Sequence, residues 1–240
     1  MRLTVPEVYT ARWMLDAIAP SPTREQLVYD RLRQAIVAGT LRPGQELVVT
    51  TIAAQLGVSR IPVMHACQRL IGEGFLVANP RRSVTVAPLT EARIVEGNEV
   101  LLALECLALE HTARQATADD LIYWATLNAA VRAFTAEDRE AWRGPMSMLP
   151  DHRFHAALWR AAGKPYLYRQ IALVYDHNEP ARALGRARHD AARSAAEHDA
   201  ILEALRREDV PAAQAALKTH RCRGTANQLA VLRESLSARE

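Results

Sequence analysis

In the stretch "PDHRFHAALW", Asp151 and His155 stand four residues apart, which places both side chains on one face of one helix. Two more imidazoles fall in later stretches of helical pattern, His198 in "EHDAIL" and His220 in "KTHRCRG". A carboxylate and three imidazoles suit a divalent ion such as Zn²⁺, Ni²⁺ or Mn²⁺, and leave room in its coordination sphere for water or a bound carboxylate. Spacing alone does not select these four. His111, His152, His177 and His189 stand in comparable stretches, and a helical histidine is more often exposed or held by one hydrogen bond.

A second set of residues points to different chemistry. In "LGVSRIPVMHACQRL", residues 56–70, Ser59 reads as an N-cap with Arg60, Ile61 and Pro62 in the first turn. Proline fits there because its missing N–H would have had no intrahelical acceptor. Val63, Ala66, Cys67 and Leu70 follow the i, i+3, i+4, i+7 spacing of a buried stripe, so Arg60, Ile61, Met64, His65, Gln68 and Arg69 face the other way. A short helix from Thr50 to Leu56, ended by Gly57, precedes it. Two such helices make a candidate helix-turn-helix, the second able to enter a DNA major groove about 12 Å wide. Thr50, Thr51 and Ser59 can hold phosphate through hydroxyls or first-turn amides, while Arg60, His65 and Arg69 can reach bases or phosphates. The same pattern fits a packing helix with a solvated face, so the residues alone leave both readings open.

These side chains need elements to position them. Thr23 caps "REQLVYDRLRQAIVAG", whose expected apolar stripe is Leu27, Leu32 and Ile36 with Val28 and Ala35, and Gly39 ends it. "LRPGQELV" supplies a Pro-Gly turn and a short extended segment. "FLVA" and "VTVA", joined by "NPRRS", read as a two-stranded ribbon with Arg81 and Arg82 at its tip, suited to phosphate or minor-groove contact. From Thr90 onward the pattern is helical, with helices expected near 91–115, 119–142, 150–162, 165–185 (kinked at Pro180), 190–207 and 210–235. The expected fold is mainly α: an N-terminal extension over 1–22 with a short helix in "VYTARWMLDAIA", a small α+β module over 23–89, and an all-α bundle of about six helices over 90–235.

Composition is that of an ordinary soluble chain, 49% hydrophobic and 24% charged. No apolar run approaches the roughly 18 residues of a membrane span, and the N-terminus lacks the pattern of a secretory leader, so a cytoplasmic protein is expected. Cys67, Cys106 and Cys222 are too scattered for a disulfide framework or a zinc pair, and all three are expected as buried thiols. Residues 1–90 hold ten arginines against six acidic residues, while the remainder holds twenty basic and twenty-one acidic. The basic excess at one end is weak evidence for a polyanionic partner.

"AIVAGTLRPGQEL" followed by "IAAQLGVSRIPVMHACQRLIGEGFLV" closely resembles the N-terminal winged helix-turn-helix of the GntR family of bacterial transcription regulators. That resemblance implies double-stranded DNA as partner, with Arg60 matching the family's "SR" arginine. Two positions depart from the family. Met64 and His65 stand where it usually has an Arg-Glu pair, and Met64 cannot bond a guanine edge as arginine can. Ser83 replaces the usual wing glycine.

Residues from about 90 to 232 resemble the FCD effector domain of the FadR branch, an antiparallel helical bundle. Its metal-binding members carry an Asp-x-x-x-His pair and two later histidines, the first in an "E-H-x-x-I" context, and Asp151, His155, His198 and His220 match all four positions. By this resemblance a metal sits at the floor of a cavity and helps bind a small organic acid. Leu101 and Leu102 lie where the family often has an effector-binding arginine, which points to an effector less acidic or anchored mainly by the metal. The stretch "AWRGPMSMLPDHRFH" is longer than usual and is expected to cover the pocket.

The expected function is therefore a homodimeric, ligand-responsive regulator, in the family's commoner mode a repressor, reading a pseudo-palindromic operator. The alternative is a metal-dependent enzyme or metal sensor on the same bundle with DNA binding weakened or lost. An enzyme is the weaker expectation: a three-histidine site can activate water, but the sequence compels no separate general base and contains no "H-E-x-x-H" helix or glycine-rich phosphate loop.

Overall fold

The computed structural model describes residues 22–79, 83–142 and 148–237. The expected extension helix, Arg81 and Arg82 lie outside the described residues.

Helix α1 (Arg24–Val37) starts at Thr23, whose Oγ1 accepts from the Gln26 amide at 3.1 Å. It buries Val28, Tyr29, Leu32 and Ile36 against α3 (Arg60–Gly72). Leu27, expected inward, is 52% exposed, and Tyr29 takes the inward place. The stripe is set by the contact with α3, one residue round from the sequence reading. In α3 itself Val63, Ala66, Cys67 and Leu70 are all buried, as the spacing predicts. Helix α2 (Val49–Leu56) ends at Gly57 in the left-handed region (φ 64°), which lets α3 begin three residues later.

The extended segment after α1 becomes β1 (Glu46–Leu47), so the ribbon gains a third strand. Strand β3 (Val84–Val86) lies between β1 and β2 (Leu76–Ala78), antiparallel to both, with Glu46 opposite Thr85 and Leu76 opposite Val86.

Among the described residues the bundle has eight helices where about six were expected. They are α4 (Glu91–Ala113), α5 (Ala118–Ala133), α6 (Ala136–Ala141), α7 (Pro150–Ala161), α8 (Pro165–His177), α9 (Glu179–Gly185), α10 (Ala191–Arg206) and α11 (Val210–Ser237), with a 3₁₀ turn at Arg186–Arg188. The expected helix over 119–142 is broken because Thr135 and Asp138 form a capping box that starts α6 afresh. The kink anticipated at Pro180 is a full break at Asn178, placing the proline in the first turn of α9. Of the three thiols, only Cys67 is buried; Cys106 is half-buried and Cys222 exposed.

The α8–α9 break packs against both parts of the chain. Asp176 pairs with Arg33 of α1, the His177 ring meets Phe75 edge-on at 4.2 Å, and Leu173 packs on the N-terminal core. Arg93 of α4 adds a bond from Nη2 to the Gly74 carbonyl at 2.8 Å. On the other side, a Cβ at Gly97 would lie 2.2 Å from Asn178 Oδ1, and Asn178 is too buried to swing away into solvent. Gly97→Ala should therefore cost about 1–3 kcal/mol as an overpacked contact, read as a lower urea midpoint. A wild-type midpoint would show that α4 and the break part freely.

Candidate metal centre and nucleic-acid interface

Helices α7, α10 and α11 bring Asp151, His155, His198 and His220 together, with their ligand atoms all within 4.8 Å of one another. His155 Nε2 lies 3.3 Å from His220 Nε2, and His198 Nε2 lies 3.6 Å from Asp151 Oδ1. The three rings are buried.

The far nitrogen of each ring fixes its tautomer. Asn128 donates its amide hydrogens to the Ala195 carbonyl at 2.9 Å and to Asp199 Oδ1 at 2.7 Å, so its oxygen must accept from His198 Nδ1 at 3.0 Å. Glu197 Oε2 accepts from His220 Nδ1 at 2.9 Å. Burial opposes ionisation of Glu197, but bonds from His220 and Arg223 outweigh it and hold its carboxyl down to about 2. His155 Nδ1 faces Glu105 Oε1 at 3.7 Å, beyond a hydrogen bond yet close enough to favour the proton on that nitrogen. Burial pushes His198 down to about 3 and His155 well below the usual imidazole range, so both rings are neutral.

Each ring thus carries its proton on Nδ1, and three Nε2 lone pairs converge on a carboxylate. His198 Nε2 and Asp151 Oδ1 are buried without a hydrogen-bond partner. Four acceptors facing each other without a donor are unstable alone and complementary to a divalent cation, so the donor set fits the metal. An N₃O set with a carboxylate is compatible with Zn²⁺, Ni²⁺ or Mn²⁺.

Asp151 and His220 also line a cavity of about 120 Å³. Its wall carries Arg139 of α6, Arg182 of α9, Arg186 of the 3₁₀ turn, and Arg221 and Arg223 of α11. Leu101 is buried in the bundle core, so the arginine missing from α4 has counterparts on other helices and the cavity is basic. Leu149 and Pro150 line it as well, whereas residues 143–147 of the expected covering stretch lie outside the described residues.

Sequence reading missed the groups that aim these ligands. Glu105 sits in the buried stripe of α4 within "LLALECLALE", where a carboxylate in an apolar run was the available signal. It accepts from Arg221 Nε at 2.7 Å and Trp159 Nε1 at 2.9 Å. Glu197 directly precedes His198. Asn128 and the cavity arginines carry no signal in the sequence.

In the N-terminal module, Thr50, Thr51, Ser59 and Arg60 are exposed at the starts of α2 and α3. Neither helix has a side-chain cap bond, in contrast to α1, α4 and α5; the Thr51 amide bonds the Val48 carbonyl at 3.0 Å, and Pro62 brings no N–H to the first turn of α3. His65 and Arg69 are exposed on the outward face, and each also meets α1. His65 Nδ1 meets Glu25 Oε2 at 3.0 Å, and Arg69 bonds Glu73 and Gln26 while its guanidinium lies 3.6 Å over the Tyr29 ring. Standing outward with Arg60 are Gln68 and two apolar side chains, Ile61 and Met64, 64% and 46% exposed.

Residues 24–86 match the family described as bacterial regulatory proteins, gntR family, and residues 96–221 match the FCD domain. An uncharacterised HTH-type transcriptional regulator from an unstable DNA locus of Streptomyces ambofaciens is 30% identical over 202 residues, covering 82% of each chain. The gluconate operon transcriptional repressor of Bacillus subtilis is 36% identical over 103 residues, 43% of this chain and 40% of its own length. The solved structure of E. coli McbR/YncC shares the fold, with a TM-score of 0.67 at 21% identity over 86% of this chain and 97% of its own. The chain belongs to the GntR family of bacterial transcription regulators, with an FCD domain as its helical part.

Proposed function

We propose that this regulator is a metal-containing repressor that acts in the cytoplasm as a homodimer on a pseudo-palindromic operator and responds to a small organic acid. The observation that carries the reading is the convergence of three imidazole lone pairs and the Asp151 carboxylate at the wall of an arginine-lined cavity. When bound, the divalent ion supplies positive charge that neutralises this acceptor set and attracts a carboxylate. The chain's own arginines hold the rest of the acid. Asp151, His155, His198 and His220 are the metal ligands.

On the DNA side, the exposed helix starts with Thr50, Thr51 and Ser59 fit phosphate, and Arg60 fits a base edge or phosphate. His65, Arg69, Arg81 and Arg82 are further contacts, the first two requiring release from their α1 partners. Repression is favoured by the gluconate operon repressor among the relatives. Regulation is favoured over catalysis because the relatives named above are transcription regulators.

Binding at the cavity alters operator affinity only as far as the acid distinguishes two arrangements of the winged modules. Footprinting against the DNA upstream of the chain's own gene tests the reading. Specific, salt-sensitive protection is expected, weakened by Arg60→Ala by about 1–3 kcal/mol of base discrimination. No specific binding with or without acids and metal would sink it.

A further inference from the structure

Two cavity arginines, Arg139 and Arg182, are short of acceptors among the described residues. Arg182 and Arg186 share one carboxylate, Glu179, which is 3% exposed. Arg139 has no carboxylate within ion-pair distance among the described residues; its Nη1 donates only to the His189 carbonyl, at 3.3 Å. Arg182 Nη1 is buried without a hydrogen-bond partner. Neither Arg139 nor Arg182 pairs with Asp151, whose near partner is His198.

Arg221 and Arg223, by contrast, each bond a carboxylate through two nitrogens, Arg221 to Glu105 and Arg223 to Glu197, which Arg193 also reaches at 3.5 Å. Partly buried positive charge without a counterion is costly, and an orphan guanidinium N–H in a cavity wall calls for an acceptor. We infer that the effector is a small dicarboxylate, one carboxylate directed to the metal ligands and the second held by Arg139 with Arg182. The inference rests on the reading of this cavity as an organic-acid site. Planar guanidiniums suit the second carboxylate because each can give it two parallel N–H bonds. A cavity of about 120 Å³ suits a small acid.

Calorimetry on the zinc-loaded full chain tests it, with succinate against butyrate and glutarate against valerate as probes of equal length and different charge. Each diacid should bind on the order of tenfold more tightly than its monoacid. Arg139→Gln should collapse that ratio by weakening the diacids alone, and Arg139→Lys should keep most of it. Thermal melting of both variants without acid controls for folding. A ratio near one in the wild type, or a ratio unchanged in Arg139→Gln, overturns the inference while leaving the acid pocket standing. Binding of none of the four acids would remove the organic-acid reading itself.

Discussion

Chelation of the purified protein should remove a tightly held divalent ion and lower the melting temperature of the helical domain by about 8–16 °C. The size follows from linkage: a ligand present at a thousand times its dissociation constant adds about 4 kcal/mol to the native state, and a chain of this length gains roughly 2–4 °C per kcal/mol. The physical cause is local. Without a cation, three imidazole lone pairs and a carboxylate oxygen face one another in a buried space where His198 Nε2 and Asp151 Oδ1 have no donor. Asp151→Ala and His198→Ala should each lose stoichiometric metal by elemental analysis and become insensitive to chelator. Asn128→Ala should keep the ion with an affinity reduced about 10–100-fold, because it removes the group that orients His198 and leaves all four proposed ligands in place. Unchanged metal content in Asp151→Ala and His198→Ala would withdraw the ligand assignment.

Glu105→Ala should destabilise the protein by about 3–5 kcal/mol, the cost of stranding a buried charge whose partner is removed. Arg221 is 8% exposed and is bonded by Glu105 through two nitrogens. Burial alone would lower its pKa, and Glu105 reverses that and pushes it up. The same carboxylate accepts the Trp159 indole N–H at 2.9 Å, so the substitution also leaves an indole donor unmatched. Glu105→Gln should fall between, since an amide oxygen still serves Trp159 but leaves the guanidinium uncompensated. Urea unfolding of the metal-free protein separates this loss from any change in metal affinity. A Glu105→Ala midpoint within error of the wild type would mean that Arg221 finds other compensation.

Helix α3 was legible because its information is local: a cap residue, a proline and four apolar positions at helical spacing decide which face turns inward. The Asp151, His155, His198 and His220 cluster was legible by resemblance, while spacing alone could not prefer His198 over His189, since only the packing of α7, α10 and α11 makes the four converge. What escaped needed contacts between distant residues. Leu27 and Tyr29 are both apolar enough for a buried stripe, and the choice is made by α3. His65 and Arg69 look outward on a helical wheel, yet α1 supplies Glu25 and Gln26 some forty positions earlier. The breaks at Thr135 and Asn178 lie inside helix-period sequence, and the first is made by a Thr–Asp capping box that the hydrophobic pattern does not register.

The short stretch from Leu173 to Arg182 serves two clients. Tyr175, Glu179 and Arg182 line the cavity, while Leu173, Asp176 and His177 hold the winged module. Any coupling carried through it runs equally in both directions: the factor by which an acid weakens operator binding is the factor by which the operator weakens acid binding. On the proposed reading, the acid concentration that empties a promoter is then fixed by the promoter as well as by the protein. Operators of graded strength would give one regulator a series of response thresholds without any change in its cavity.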